Sequence, residues 1–180
     1  MVATRITIDA FEATCADERV ELVDGVIVPM APASNEPGRV TMSIGAILWN
    51  HVRLHKLGTV FSAETGFVID ADRQTVLAPD VAFVRAGREP QGEARWHFAR
   101  LAPDLVVEVL SPSDRARDMQ TKVALYHKAG VPLIWVVDPR AETLTVHALG
   151  QPPVTLTASD PLDGGDVLPE FQIVVADLLA

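Results

Sequence analysis

Apolar residues recur at helical spacing in one long segment of the chain and form short runs elsewhere. Between Arg39 and Gly58 they stand three or four positions apart, which predicts an amphipathic helix that ends at the glycine. Shorter apolar runs bounded by turn-forming residues predict strands at residues 59–69, 75–84, 104–110, 133–138, 143–149 and 153–157. The helical spacing and the short apolar runs together predict a sheet with helices packed on it.

The first forty residues combine signals for a helix, a hairpin and a loop. Asp9 stands where its side chain can cap a short first helix by accepting free N–H groups of the first turn. Asp24-Gly25 divides the apolar run 19–29, and this dipeptide favours a tight hairpin turn. Residues 31–38 are rich in Pro, Ser, Asn and Gly, which is typical of a loop.

The middle of the chain predicts a strand–helix–strand unit. Strand 104–110 is followed by Ser111-Pro112-Ser113-Asp114, which predicts a turn and a helix cap. The helix should continue to about Ala129, before Gly130, and lead into the apolar strand 133–138. An order this compact implies a right-handed parallel crossover.

The remaining segments complete the predicted architecture. Residues 85–101 are polar and predict an exposed connection, whereas residues 171–180 are apolar and predict a docked strand and short helix. We therefore predict an α/β fold, a mixed sheet flanked by helices. A length of 180 residues is enough for one full core and short for two, so we expect a single domain over residues 1–180.

The composition bears on the cellular setting. Hydrophobic residues make up 48% of the chain and charged residues 22%, which is ordinary for a folded globular protein. Cys15 is the single cysteine, so an intramolecular disulfide is impossible and a reducing compartment fits. We find no signal-peptide pattern and no apolar segment of membrane-spanning length, and therefore expect a cytoplasmic protein outside the membrane.

Two acidic residues stand beside or inside apolar strands. Asp80 follows Pro79 and precedes Val81-Ala82-Phe83-Val84, and Glu108 lies between two pairs of apolar residues. A carboxylate in a buried strand is costly unless it is paired or bound to a cation. Each acid could lie at a strand end beside solvent or a lysine. Alternatively, the two acids on neighbouring strands could hold Mg²⁺ or Mn²⁺, which prefer carboxylate oxygens.

A lysine on the predicted helix could join these acids. A helix turns by about 100° per residue. If Met119 marks the centre of the buried stripe, Val123 and Tyr126 lie within about 40° of that centre. Lys122 lies about 60° from the centre, at the border of the stripe, whereas Lys128 falls on the opposite face. Lys122 could cover apolar surface with its stem, or bend its ammonium group toward the acids.

An ordered set of short motifs follows the chain, and the resemblance that they carry extends from about Phe11 to Leu179. The motifs are Glu21-Leu22-Val23-Asp24-Gly25, Ala78-Pro79-Asp80-Val81, residues 103–113, Asp118, Lys122, Tyr126, Gly130-Val131 and Trp135-Val136-Val137-Asp138-Pro139. In this order they resemble the bacterial restriction-endonuclease-like family called the Uma family, a branch of the PD-(D/E)XK nuclease superfamily. The resemblance implies a restriction-endonuclease-like core and hydrolysis of phosphodiester bonds with Mg²⁺ (or Mn²⁺).

The resemblance also implies roles for individual residues. Asp80 matches the aspartate of the PD motif and Glu108 the second acid, so these two are the implied metal ligands.

The usual lysine two positions after that acid is absent, because Leu110 stands there. Lys122 resembles the migrated lysine of this branch, and Glu21 resembles an early acid near the metal. Another departure is a loop histidine, replaced here by Pro37 or Gly38, which puts a role for that loop in doubt.

Three functions remain open on the sequence alone. The first is a DNA endonuclease, for which we expect a homodimer because cutting both strands needs two sites. The second is a nuclease-fold module without catalysis, and the third a metal phosphohydrolase for small molecules. The net charge of −9 counts against broad nucleic-acid binding, which normally needs a basic surface.

Overall fold

The computed structural model describes residues 4–15, 18–112 and 114–180 as helices, strands and the loops between them. The helices in these ranges are α1 Ile8–Cys15, α2 Asn35–His55, α3 Ala116–Lys128 and α4 Val175–Leu179. The strands are β1 Val20–Val23, β2 Val26–Pro29, β3 Gly58–Ser62, β4 Phe67–Asp70, β5 Thr75–Leu77, β6 Val81–Arg85, β7 Leu105–Val109, β8 Leu133–Asp138, β9 Thr143–Ala148, β10 Val154–Thr157, β11 Pro161–Asp163 and β12 Gln172–Val174. None of the helices within these ranges is long and apolar enough to cross a membrane.

A mixed six-stranded sheet forms the centre, in the order β10-β9-β8-β7-β6-β3. Strands β7 and β8 pair in parallel and are joined through α3, as the predicted crossover requires. The other pairings in this sheet are antiparallel, including β6 with β7. The predicted α/β class, a mixed sheet flanked by helices, is therefore confirmed.

Side chains along the central strands point alternately to the two faces of the sheet, where they form two separate apolar layers. In β7, Val107 and Val109 pack into the layer that contains the buried face of α2, together with Trp135 of β8. Val106 points the other way, into the layer that holds Tyr126 of α3. Successive side chains of a strand point to opposite faces, so the parity of residue 108 places it on the α3 side.

A smaller four-stranded sheet, in the order β2-β1-β5-β4, lies beside the central one. The predicted strands 59–69 and 75–84 are each wrong as single strands, because each divides between the two sheets. The first breaks where Glu64 adopts a positive φ of 73°. The second breaks at Pro79, which cannot donate a ladder hydrogen bond. The chain thus passes from the small sheet to the central sheet immediately before Asp80.

Several helix starts differ from the prediction for local reasons. Helix α2 begins at Asn35, inside the predicted loop 31–38, because proline at position 37 is tolerated in a first helical turn. Helix α1 is capped by Thr7, whose Oγ1 accepts the N–H of Ala10 at 3.2 Å, so the cap assigned to Asp9 is wrong.

Three further segments show how the connections are built. Helix α3 has Arg115 at its cap position, without a side-chain capping hydrogen bond, so Ser111 of the predicted turn and cap does not stand at the cap position. Ser113 lies outside the described residues. The connection 85–101 is mostly exposed as predicted, but it contains the 3₁₀ turn Gly92–Trp96 and the buried Ala99. The tail forms β12 and α4, as predicted.

Candidate active site

Glu108 is a buried carboxylate in the middle of the central sheet. Its residue is 4% exposed and lies in β7, on the side of the sheet that faces α3. The hydroxyl of Tyr126 donates a hydrogen bond of 2.7 Å to Glu108 Oε1. Lys122 Nζ lies 3.0 Å from Oε1 and 3.1 Å from Oε2 of the same carboxylate. Two residues of α3, one turn apart, therefore hold this acid.

Lys122 joins Glu108 to a second buried acid on the small sheet. Lys122 Nζ lies 3.0 Å from Oε1 of Glu21, a residue of β1 that is 6% exposed. Glu21 Oε1 also accepts the N–H of Ala78 at 3.0 Å, at the point where the chain leaves the small sheet. The lysine on α3 therefore bridges acids from both sheets, and its ammonium group is directed inward rather than along the surface.

Asp80 completes the group at the start of β6. The register of β6 on β7 pairs Val81 with Val107, so Asp80 comes opposite Glu108 in this antiparallel pair. Asp80 Oδ2 accepts the N–H of Val109 at 2.7 Å. This bond fixes the aspartate against the strand that carries Glu108.

Burial makes the two strand acids hard to ionise, and neighbouring carboxylates add to the effect. Burial raises the pKa of Glu108 to about 7, although Lys122 opposes the change and Asp80 adds to it. Burial also raises the pKa of Asp80, against the effect of its bond from Val109. Such shifts are characteristic of carboxylates that lack a sufficient positive partner.

The two other groups remain protonated for different reasons. Burial lowers the pKa of Lys122, but the charges of Glu108 and Glu21 outweigh burial and raise it overall. Burial and the nearby carboxylates raise the pKa of Tyr126 well above its usual value. At neutral pH, Lys122 is therefore an ammonium cation and Tyr126 a neutral hydrogen-bond donor.

Glu21, Asp80, Glu108 and Lys122 line one cleft with a volume of about 360 Å³. One wall is apolar and comes from the end of the β1–β2 hairpin and the loop that follows, including Pro29, Met30 and Pro32. The other wall is charged and comes from the start of α3, with Asp114, Arg115 and Asp118. The floor carries the acids Glu21, Asp80 and Glu108 together with Lys122.

All four site residues expected from the sequence line this cleft, so the structure brings Glu21, Asp80, Glu108 and Lys122 together. Their roles in metal binding and catalysis stay predictions. The helical spacing predicts Tyr126 in the core and not at the site. One feature of the sequence indicates its contact with the site: Tyr126 comes four residues after Lys122, on the same face of a helix.

The acids alone do not form a ready-made metal cage. Within residues 4–15, 18–112 and 114–180, no group of three His, Cys, Asp or Glu residues is arranged to hold a metal ion. Lys122 lies between Glu21 and Glu108 and separates these carboxylates. Two acids, Asp80 and Glu108, remain as neighbours on one side of the sheet.

Comparison with known families decides the relationship of this chain. The profile of the family Uma2, described as "Putative restriction endonuclease", matches residues 8–176. The chain belongs to the Uma2 family. The resemblance expected from the sequence is thereby confirmed, and Uma2 membership supports a nuclease function.

The fold of this Uma2 chain is shared with a solved structure. A protein from Anabaena variabilis, described as a putative nuclease belonging to DUF820, superposes with a TM-score of 0.85 over 97% of each chain. The two sequences are 18% identical, so this likeness concerns the fold. No curated protein matches the chain.

Proposed function

We propose that this Uma2 protein is an Mg²⁺- or Mn²⁺-dependent endonuclease that hydrolyses phosphodiester bonds of DNA. The observation that carries the proposal is the convergence of Asp80, Glu108 and Lys122 in one cleft, from three separate elements. Family membership supports the reaction class. Buried acids with raised pKa values in a cleft are typical of functional sites.

The donor set at the floor of the cleft fits a hard divalent cation. Asp80 and Glu108 offer carboxylate oxygens from adjacent strands, and Mg²⁺ and Mn²⁺ prefer such ligands completed by water. Burial raises the pKa of both acids, and a bound cation would favour their ionised forms. Asp80 and Glu108 would hold the ion, which when bound would act as a Lewis acid on the phosphate.

The remaining residues would act on the substrate and the attacking water. Lys122 carries a charge that can stabilise the negative charge developing on the phosphoryl oxygens. Glu21 also pairs with Lys122, so this acid and Glu108 together would fix the direction of the ammonium group. The bond from Val109 restrains Asp80 in one orientation, which reduces the reorganisation needed during the reaction.

The proposal also concerns assembly and compartment. A homodimer would supply the two sites that a double-strand cut requires, and two-fold dimers are the commonest assemblies. A cytoplasmic location is proposed because the chain has one cysteine, Cys15, which is free and buried.

A cleavage assay on supercoiled plasmid, with and without Mg²⁺ or Mn²⁺, tests the proposal. Glu108→Ala should abolish metal-dependent cleavage, because it removes a ligand and the bound ion together. Lys122→Ala should lower the rate by about 10²–10³-fold, the typical effect of losing one charge-stabilising donor. Metal binding by the Lys122→Ala protein, measured by calorimetry with Mn²⁺, should persist, because Lys122 is not a ligand.

Lys128→Ala is the matched control on the same helix. Lys128 is an exposed lysine paired with Asp70 at 2.8 Å, and it does not line the cleft. Its removal should leave cleavage unchanged. Impaired cleavage by Lys128→Ala together with full activity of Lys122→Ala would mean that the site is assigned to the wrong side of α3.

One observation favours a second candidate, a nuclease-fold module without catalysis. Lys122 already neutralises part of the acid group, and the described residues hold no three-acid cluster for a metal. If the protein bound neither Mg²⁺ nor Mn²⁺ and cut no nucleic acid, a module without catalysis would become the proposed function in place of an endonuclease.

A further inference from the structure

The hydroxyl of Tyr126 reaches the candidate site from inside the protein. Tyr126 is fully buried in the layer between the central sheet and α3, and its hydroxyl donates to Glu108 Oε1 at 2.7 Å. Residue 126 is one helical turn beyond Lys122, so both donors come from one rigid element. The bond is therefore fixed by helix packing and not by a mobile loop.

The two oxygens of Glu108 are used unequally. Oε1 accepts from Tyr126 at 2.7 Å and also lies 3.0 Å from Lys122 Nζ. Among the described residues, Oε2 accepts from Lys122 alone, at 3.1 Å. Because each carboxylate oxygen has two lone-pair sites, Oε2 keeps capacity for a further partner, whereas Oε1 is occupied.

A core contact alone would not need this arrangement. Burying a carboxylate and a phenol together is costly in comparison with an apolar pair, and the cost is recovered only if every polar atom is satisfied. The fully buried position 126 is surrounded by apolar residues such as Val123 and Val131, which would accommodate a phenylalanine. The hydroxyl is therefore explained by Glu108 and not by packing.

We propose that Tyr126 is a positioning residue, whose hydroxyl holds Glu108 Oε1 and leaves Oε2 for the cation. The inference rests on the proposed metal-dependent function and adds an outer partner to it. Outer hydrogen bonds of this kind orient metal ligands, and their loss typically weakens metal binding or activity by about 10–100-fold.

Metal affinity is the first measurement. Tyr126→Phe removes one oxygen and leaves the ring, so the core should stay filled. We expect Mn²⁺ binding, measured by calorimetry on the full chain, to weaken by about 10–100-fold. Thr145→Val is the matched control: it removes a hydroxyl that pairs with the hydroxyl of Thr155 at 3.0 Å, between β9 and β10 of the central sheet and away from the cleft. That variant should bind Mn²⁺ like the wild type.

A spectroscopic measurement needs no substitution at position 126. Tyr126 is the single tyrosine of the chain, so labelling with ¹³Cζ-tyrosine gives one resonance that reports the phenol. Addition of Mg²⁺ should shift this resonance in the wild type, because the charge on its hydrogen-bond acceptor changes. The shift should disappear in Glu108→Gln, because this substitution removes the charge of a proposed metal ligand.

The outcomes separate this inference from the function on which it rests. If the wild type binds Mn²⁺ and cuts DNA, while Tyr126→Phe binds Mn²⁺ equally well, the positioning role is wrong and the endonuclease stands. An unmoved tyrosine resonance in Mg²⁺-saturated wild type leads to the same conclusion. If the wild type binds no metal, both proposals are wrong.

Discussion

At the scale of single residues, the floor of the cleft is a balance of charges. Glu21, Asp80 and Glu108 contribute three negative charges when ionised, and Lys122 contributes one positive charge. Ionisation of all three acids therefore leaves an excess of two negative charges in a buried place. A divalent cation would cancel that excess, which is why the donor set and the raised pKa values lead to the same proposal.

The raised pKa of Glu108 predicts a loss of stability with rising pH in metal-free protein. An unfolded glutamate titrates near the ordinary value of 4.5 and the folded one near 7, so the folded state binds more protons between these values. Stability is therefore fully present below about pH 4.5 and declines as pH rises to about 7. Urea unfolding from pH 5 to 8, in the presence of a chelator, should show this decline, and Glu108→Gln should flatten it.

Asp70 provides a control for this pH series. Its hydrogen bond from Lys128 lowers the pKa of Asp70, so its contribution is lost only as pH falls below the usual carboxyl range. Asp70→Asn should leave the decline between pH 5 and 7 unchanged. A wild-type slope retained in Glu108→Gln would show that another group causes the pH dependence.

At the scale of elements, the edge strand β3 depends on a single glycine. Gly58 has φ of 149°, and a Cβ there would lie 2.1 Å from the carbonyl oxygen of Val84 in the paired strand β6. A side chain at this position would separate the two backbones. Since β6 begins at the candidate site, the pairing of β3 also supports the strand that follows Asp80.

We predict that Gly58→Ala lowers the free energy of unfolding by at least about 2 kcal/mol, from unfavourable backbone geometry and the clash together. Gly150→Ala is the matched control, because Gly150 has φ of 77° but no atom within 4 Å of an added Cβ. Gly150→Ala should lower the free energy of unfolding by about 1 kcal/mol, from the unfavourable backbone conformation alone. Equal losses for the two variants in urea unfolding would contradict the role given to the Val84 contact.

Comparison of these elements with the sequence shows what periodicity can predict. The burial pattern of α2, the hairpin at Asp24-Gly25 and the strand–helix–strand unit follow from local spacing, and the structure has all three. The division of residues 75–84 between two sheets does not follow, because both halves are apolar and their pairing partners are distant. The bond from Tyr126 to Glu108 is likewise long-range, and a buried tyrosine at core spacing gives no local sign of it.

At the scale of the molecule, the net charge of −9 affects how DNA could bind. Among the described residues, the cations that line the cleft are Arg19, Arg115 and Lys122. Arg19 is paired with Glu64 at 3.0 Å, and Lys122 is held by two acids. Few positive charges are therefore available for contacts with the DNA backbone.

We expect the cleavage efficiency to depend weakly on salt. With about one or two phosphate contacts, the logarithm of kcat/KM should fall with the logarithm of salt concentration at a slope of about −1 to −2. The measurement is made at fixed Mg²⁺ with KCl varied. A slope near −6 or steeper would indicate a broad basic surface outside the cleft, contrary to this expectation.

The homodimer is tested by light scattering at the concentrations used for cleavage, where a mass near twice 19.4 kDa is expected. The side chains of Trp135, Val175 and Leu178 are buried in the chain's own core and are not free to form this interface. A monomeric mass under those conditions would leave single-strand nicking as the expected reaction.

The passage of the chain from the small sheet to the central sheet at residues 78–80 links activity to local unfolding. Glu21 belongs to the small sheet, whereas Asp80 immediately precedes the central strand β6. The N–H of Ala78, two residues before Asp80, donates a hydrogen bond to Glu21. Proteins open in cooperative units, and a sheet of four short strands is a natural unit of this kind. Each opening of the small sheet would dismantle the site without unfolding the rest. Substitutions far from the cleft that weaken this sheet would then reduce the fraction of competent molecules, while leaving the chemistry of each competent molecule unchanged.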